Sequence, residues 1–183
     1  MRVITGSIKG HPLKTVQNRA LRPTSGKVKE ALFNILQKEI SGSCFLDLYA
    51  GTGSIGIEAL SRGACHVTFV ESNRAILKIL RHNLKRLGFE TKSSILGMTA
   101  LKFLKSKSLS NQRFDILYVD PPYHGSELKK LLPLLTCSDM IKSNSLMIIE
   151  HFHKTEMESS IGALQKRRTY LYGDTSLTVY EMG

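Results

Sequence analysis

Asp120-Pro121-Pro122-Tyr123 is the segment of this chain best suited to chemistry. It follows Phe114-Asp115-Ile116-Leu117-Tyr118-Val119, an apolar run that reads as a buried strand. Two consecutive prolines cannot continue a ladder, because neither has an N–H to donate and each fixes its φ. The chain must leave the strand stiffly, presenting a carboxylate, backbone carbonyls and an aromatic ring. A planar base with an exocyclic amine needs that set, with acceptors for its N–H groups and a ring face to stack on. An ordinary proline turn would look the same in isolation, so the reading depends on a second feature.

That feature is the apolar run Cys44-Phe45-Leu46-Asp47-Leu48-Tyr49-Ala50, followed by Gly51-Thr52-Gly53-Ser54-Ile55-Gly56 and then Ile57-Glu58-Ala59-Leu60. Strand, glycine turn and helix succeed one another without a gap. Glycines let the backbone approach a ligand, and a helix N-terminus offers unpaired N–H groups. A second strand, His66-Val67-Thr68-Phe69-Val70, ends in Glu71, where an acid can accept from both hydroxyls of a ribose. The same spacing fits a dinucleotide fingerprint. Asp47 argues against that rival, since a carboxylate four residues before the turn would repel a pyrophosphate. S-adenosylmethionine has a ribose and an ammonium but no phosphate, and it suits Asp47, the glycine turn and Glu71 better than NAD does.

At this point the chain resembles a family. Asp47-x-x-x-Gly51-x-Gly53 with Asp120-Pro121-Pro122-Tyr123 looks like a class I amino-methyltransferase. Arg2-Val3-Ile4-Thr5-Gly6, Leu21-Arg22-Pro23-Thr24, Lys27-Val28-Lys29-Glu30-Ala31-Leu32-Phe33-Asn34 and Gly56-Ile57-Glu58-Ala59-Leu60-Ser61-Arg62-Gly63 resemble the bacterial 16S rRNA guanine-N2 methyltransferases of the RsmD family. The similarity runs from Arg2 to Gly173-Asp174-Thr175. It implies a catalytic segment of Asp120, Pro121, Pro122 and Tyr123. It also implies a cofactor site of Asp47, Tyr49, Gly51, Thr52, Gly53, Glu71, Ser72, Met98 and Thr99. One departure stands out: Ile95-Leu96-Gly97-Met98-Thr99 lacks the acid that many such enzymes place after the third strand. Backbone groups or the Thr99 hydroxyl would then serve the adenine amine, with Met98 packed on the ring. Two rival functions remain, a DNA adenine-N6 methyltransferase and a non-catalytic RNA-binding protein that keeps the fold.

The positioning elements follow from the hydrophobic pattern. Residues 2–8 and 12–16 read as two strands around the basic turn Lys9-Gly10-His11. Thr24 or Ser25 can cap a helix over 26–40 with Val28, Leu32, Ile35 and Leu36 inward. Strands at 44–49, 66–71, 92–96, 114–119 and 145–151 alternate with helices at 54–62, 73–87, 99–106 and 126–136. Such alternation calls for an α/β, Rossmann-like fold with a mostly parallel sheet covered on both faces. Lys166-to-Tyr172 and Ser176-to-Glu181 form a closing hairpin, giving seven sheet strands with the last antiparallel, beside the N-terminal hairpin. Asp47, Glu71 and Asp120 all fall at strand ends, where such sheets collect ligands, with a helix cap as the alternative role for Asp47.

The chain of 183 residues, 42% hydrophobic, suits one domain over 1–183, with 1–24 as a hairpin-and-loop extension for RNA contact. It has no apolar run long enough to span a membrane and no signal-peptide core. Cys44, Cys65 and Cys137 form no CxxC pair, which disfavours disulfides and zinc and suits a cytoplasmic protein. His151 and His153 share a strand face but have no third ligand at usable spacing, so no metal is expected. The net charge is +11, and residues 1–40 carry eight basic side chains against Glu30 and Glu39. Arg2, Lys9, Lys14, Arg19, Arg22 and Lys27 are the candidate phosphate contacts. The resemblance implies 16S rRNA as partner, within the 30S subunit or its precursor. Nothing in the sequence suggests an obligate dimer, so a monomer is expected.

Overall fold

The computed structural model describes residues 1–16, 25–106, 112–122, 127–136 and 140–182. Arg19, Arg22, Tyr123 and Cys137 lie outside the described residues. Five strands run parallel as neighbours: β1 (Cys44–Leu48), β2 (His66–Val70), β3 (Ser93–Leu96), β4 (Phe114–Val119) and β5 (Ile141–Phe152). Three antiparallel strands complete the sheet: β6 (Ser160–Ile161), β7 (Leu164–Tyr172) and β8 (Thr175–Met182). Their order is β3-β2-β1-β4-β5-β8-β7-β6. The described sheet has eight strands rather than seven because the two-residue β6 pairs with the edge of β7.

Among the described residues, five α-helices cover the faces: α1 (Gly26–Ile35), α2 (Ser54–Ser61), α3 (Arg74–Arg86), α4 (Ala100–Leu104) and α5 (Glu127–Thr136). One core packs Leu32 and Phe33 of α1, Ile57 of α2 and Leu80 of α3 against Phe45, Tyr118, Ile148 and Leu177. The opposite core packs Phe103 of α4 and Leu131 and Leu135 of α5 against Leu46, Leu48, Leu117 and Met147. This two-sided burial is why the central strands read as continuous apolar runs. Ser25 caps α1 as expected, its hydroxyl accepting from Val28 N at 3.2 Å. The helix ends at Ile35, earlier than its apolar pattern suggested, and residues beyond it continue as turns.

Sheet order explains where a ligand goes. β1 has β2 on one side and β4 on the other, so the chain reverses its direction of advance between them. A crevice opens at the carboxyl ends of strands at such a switch. The glycine turn leaves the end of β1 and Asp120 leaves the end of β4, on either side of that switch.

The expected N-terminal strands over 2–8 and 12–16 do not form. Their pairing reduces to a single antiparallel bridge, Arg2 to Pro12. The reason is competition for the backbone donors. Glu58 on α2 accepts from Ile4 N at 2.8 Å and Thr5 N at 2.9 Å. Ser61 takes Ile8 N at 3.2 Å through its hydroxyl and Ser7 N at 2.7 Å through its carbonyl. The two arms still fold back on each other, Val3 N donating to His11 O at 3.0 Å and Leu13 N to Met1 O at 2.9 Å, and with Val3 and Leu13 buried the short turn is fastened to α2.

Candidate active site

The glycine turn depends on left-handed backbone. Tyr49, Gly51 and Gly53 have φ of 66°, 55° and 87°, a region glycine enters without steric cost and tyrosine does not. The Tyr49 hydroxyl donates to Glu127 Oε1 at 2.8 Å, which joins this turn to the first residue of α5. The glycines serve different ends. A Cβ on Gly53 would meet Leu80 Cδ1 at 2.4 Å, and one on Gly56 would meet Phe69 Cε1 at 2.3 Å. Those two positions are glycine for packing. A Cβ on Gly51 would meet nothing nearer than Tyr49 O at 4.0 Å, so the space beside it is open to a ligand. Ser54 Oγ, at the start of α2, is buried without a hydrogen-bond partner among the described residues.

Asp47 is 1% exposed, and its Oδ2 accepts from Gly56 N at 2.9 Å. Gly53 occupies the N-cap of α2 without a side chain to cap it, and Asp47 reaches up from β1 to satisfy one of the helix's free N–H groups. The carboxylate thus faces the helix rather than solvent. Burial pushes its pKa up to about 7, opposed by the Gly56 N–H and reinforced by Glu71. Glu71 bridges two backbones: Oε2 accepts from Gly51 N at 3.0 Å and Oε1 from Asn73 N at 2.7 Å. Each oxygen keeps a second lone pair, which is the capacity a ribose diol requires.

Asp120 directly follows β4, with Pro121 buried and Pro122 exposed. Asp47 pairs with Tyr118, and Tyr118 with Ile148. The alternation of a strand therefore puts Asp47, Asp120 and Glu150 on the same face. Glu150 is 3% exposed and accepts from the Tyr118 hydroxyl. Burial raises the Asp120 pKa well above the carboxylate range, and the neighbouring Glu150 and Asp47 charges raise it further. Three carboxyls converging at the switch point favour a cationic or amine-bearing ligand there.

Known proteins resemble this chain along most of its length. Residues 1–181 match the family model described as Conserved hypothetical protein 95. The Haemophilus influenzae ribosomal RNA small subunit methyltransferase D is 36% identical over 151 residues, 82% of this chain and 78% of its own length. The chain belongs to the RsmD family of methyltransferases. A Bacillus subtilis protein, YlbH, named as a candidate rRNA methyltransferase, is 36% identical over 181 residues, 99% of this chain and 98% of its own. A solved structure of a candidate methyltransferase from Escherichia coli is 29% identical with a TM-score of 0.89, covering 100% of this chain and 97% of that one.

Around this RsmD-family site the remaining expected residues fall out unevenly. Thr52 borders the turn, and its carbonyl accepts from Asn83 Nδ2 at 3.0 Å. Ser72 is exposed beside Glu71. Thr99 caps α4, its hydroxyl accepting from Lys102 N at 3.2 Å, and Met98 packs against the second core. Arg2, Lys9, Lys14 and Lys27 are exposed. Lys29, one of the eight N-terminal cations, is 2% exposed and pairs with Glu58 at 3.2 Å, so it adds nothing to the basic surface. His151 is buried between Phe152 O and the Thr178 hydroxyl. No group of three or more metal-ligating side chains gathers among the described residues, and none of their helices is long and apolar enough to cross a membrane.

Three residues of the site escaped the sequence reading. Glu127 and Glu150 act through tertiary contacts with Tyr49, Tyr118 and Asp120. Asn83 is fully buried, and it exchanges hydrogen bonds with the Lys14 backbone while holding Thr52. A polar residue at an inward position of a helix was the one available signal for Asn83.

Proposed function

We propose that this protein transfers a methyl group from S-adenosylmethionine to the exocyclic N2 of a guanine in 16S rRNA, with the 30S subunit or its precursor as substrate. The observation that carries the reading is the Asp120-Pro121-Pro122 exit from β4, set beside the open glycine turn of β1 at the switch point of a methyltransferase-family sheet. The names of the relatives support rRNA of the small subunit as the target.

When bound, S-adenosylmethionine supplies a methyl activated by a sulfonium. The chain's main task is alignment for in-line attack. Gly51 leaves room for the donor, and Glu71 presents its spare lone pairs to the ribose. The guanine amine is a weak nucleophile because its lone pair is delocalised into the ring. Accepting its two N–H groups at the Asp120 carboxylate and the Pro121 carbonyl would turn that pair toward the methyl. A cation beside the Asp47 and Asp120 carboxyls opposes their raised pKa values, so donor binding favours the charged Asp120 that the amine needs. Tyr123 would stack on the base, which must be unpaired or flipped. Once the N–C bond forms and the C–S bond breaks, the cationic amine is acidic enough to lose its proton to water or to Asp120.

The test is methylation of 30S subunits that lack the modification, with the product base mapped by mass spectrometry. Asp120→Ala should abolish turnover while S-adenosylhomocysteine affinity stays near wild type. Absence of both heat and thermal shift with S-adenosylhomocysteine would sink the enzyme reading. Methyl transfer to naked DNA but not to rRNA would replace guanine N2 by adenine N6.

A further inference from the structure

A groove of about 560 Å³ lies between α1 and the C-terminal hairpin, lined among others by Lys27, Glu30, Asn34, Ile35, Tyr170 and Tyr172. We propose that it binds a single-stranded nucleotide of the RNA substrate close to the nucleotide being methylated. The inference rests on the RNA reading above and extends it to a groove that shares only Lys27 with the N-terminal phosphate candidates.

Sheet register puts the groove in line with Asp120. Glu150 pairs with Leu177, and Leu177 with Tyr170. Val119 pairs with Ile149, so Asp120 follows onto the rung of Glu150 and Tyr170. Residues on one rung share a face, which makes Asp120 and Tyr170 neighbours on the face that α1 covers. They are separated by the three strand spacings from β4 through β5 and β8 to β7, about 14 Å at the usual strand separation.

The chemistry of the lining suits a nucleotide. Tyr170 and Tyr172 sit two residues apart on one strand, side by side on that face and half-buried. Both rings border the first core without being enclosed by it. Stacking on such rings tolerates any base. The Arg168 guanidinium lies 5.1 Å from the centroid of the Tyr170 ring, and exposed Lys27 stands on the opposite wall. These two cations are placed to take the phosphates on either side of a stacked base. Glu30, on the α1 wall, is an acceptor for base amino groups or a ribose hydroxyl.

The experiment measures binding of a fluorescein-labelled single-stranded oligoribonucleotide by anisotropy, alongside calorimetry with S-adenosylhomocysteine. Replacing both rings (Tyr170→Ala with Tyr172→Ala) should weaken oligonucleotide binding roughly tenfold or more and leave cofactor affinity unchanged. The conservative pair Tyr170→Phe with Tyr172→Phe should bind as wild type, because the rings remain. Leu171→Ala, on the opposite face and 65% exposed, should change nothing. Wild-type affinity in the double alanine variant would overturn the proposal. Should that variant fail to fold, Arg168→Glu gives the same reading from the rim beside Tyr170, where unchanged RNA affinity overturns the proposal equally. Binding is read without turnover, so a wild type that binds the oligonucleotide but methylates nothing would remove the guanine assignment and leave the groove standing.

Discussion

Asp47→Asn isolates the energetic consequence of placing an acid under the glycine turn. In the folded protein burial lifts this carboxyl from 3.8 to about 7. Between those values the unfolded chain has released a proton that the folded chain retains, so stability falls as pH rises through the window. At about 1.4 kcal/mol for each pH unit, the whole rise is worth roughly 4 kcal/mol. Asparagine keeps an oxygen for the Gly56 N–H but cannot ionise. The stability of the variant relative to wild type should therefore climb by roughly 4 kcal/mol between pH 4 and pH 8. Urea denaturation at a series of pH values, extrapolated linearly to water, reads this directly. A difference independent of pH would refute the reasoning, since it would mean the carboxyl titrates alike in both states.

Glycine substitutions should separate packing from ligand space. Gly56→Ala drives a methyl into Phe69 and Val67 and should cost about 1–3 kcal/mol in denaturation. Gly51→Ala meets open space but puts a Cβ on left-handed backbone (φ 55°), so it should cost about 1–2 kcal/mol of strain and, unlike Gly56→Ala, also weaken S-adenosylhomocysteine binding by calorimetry; equal effects on cofactor binding at both sites would contradict the division. Glu58→Gln leaves the buried Lys29 ammonium without its carboxylate, so a loss of about 3–5 kcal/mol is expected. Limited proteolysis should then cut residues 1–16 faster, and unchanged protection would count against Glu58 as the anchor. Tyr49→Phe removes the bond to Glu127 and should lower stability by about 1 kcal/mol, with Glu127→Gln far less harmful because an acceptor oxygen remains.

Local chemistry made much of this molecule legible. Ser25 as a cap, the alternating strands and helices, and the antiparallel β8 all follow from patterns a few residues long. The same holds for the glycine turn and the prolines after β4. What stayed hidden was set by distance along the chain. The N-terminal alternation of apolar residues suggested a hairpin, but Glu58, more than fifty residues away, claims the Ile4 and Thr5 donors. Asp47 read most naturally as a ligand for an ammonium because its partner, Gly56 N, is revealed only when the helix turns back over the strand. Tyr170 and Tyr172 looked like unremarkable strand residues until register set them in line with Asp120.

These long-range contacts have a common consequence. Asn83 holds the Lys14 backbone with both ends of its carboxamide and donates to Thr52 O in the glycine turn. Glu58 binds the other end of the N-terminal segment to α2, the helix that the turn begins. The basic segment and the glycine turn are therefore separated by single buried side chains, Asn83 with three hydrogen bonds and Glu58 held by Ile4, Thr5, Lys29 and Arg62. A flexible arm would reach its polyanion and then still have to find the donor. Here RNA phosphates engaged by Arg2, Lys9 or Lys14 would be held by parts of the same rigid body that shapes the space beside Gly51. In-line transfer depends steeply on the separation of the reacting atoms, so fixing both grips to α2 and α3 in advance removes an ordering step that would otherwise oppose the reaction.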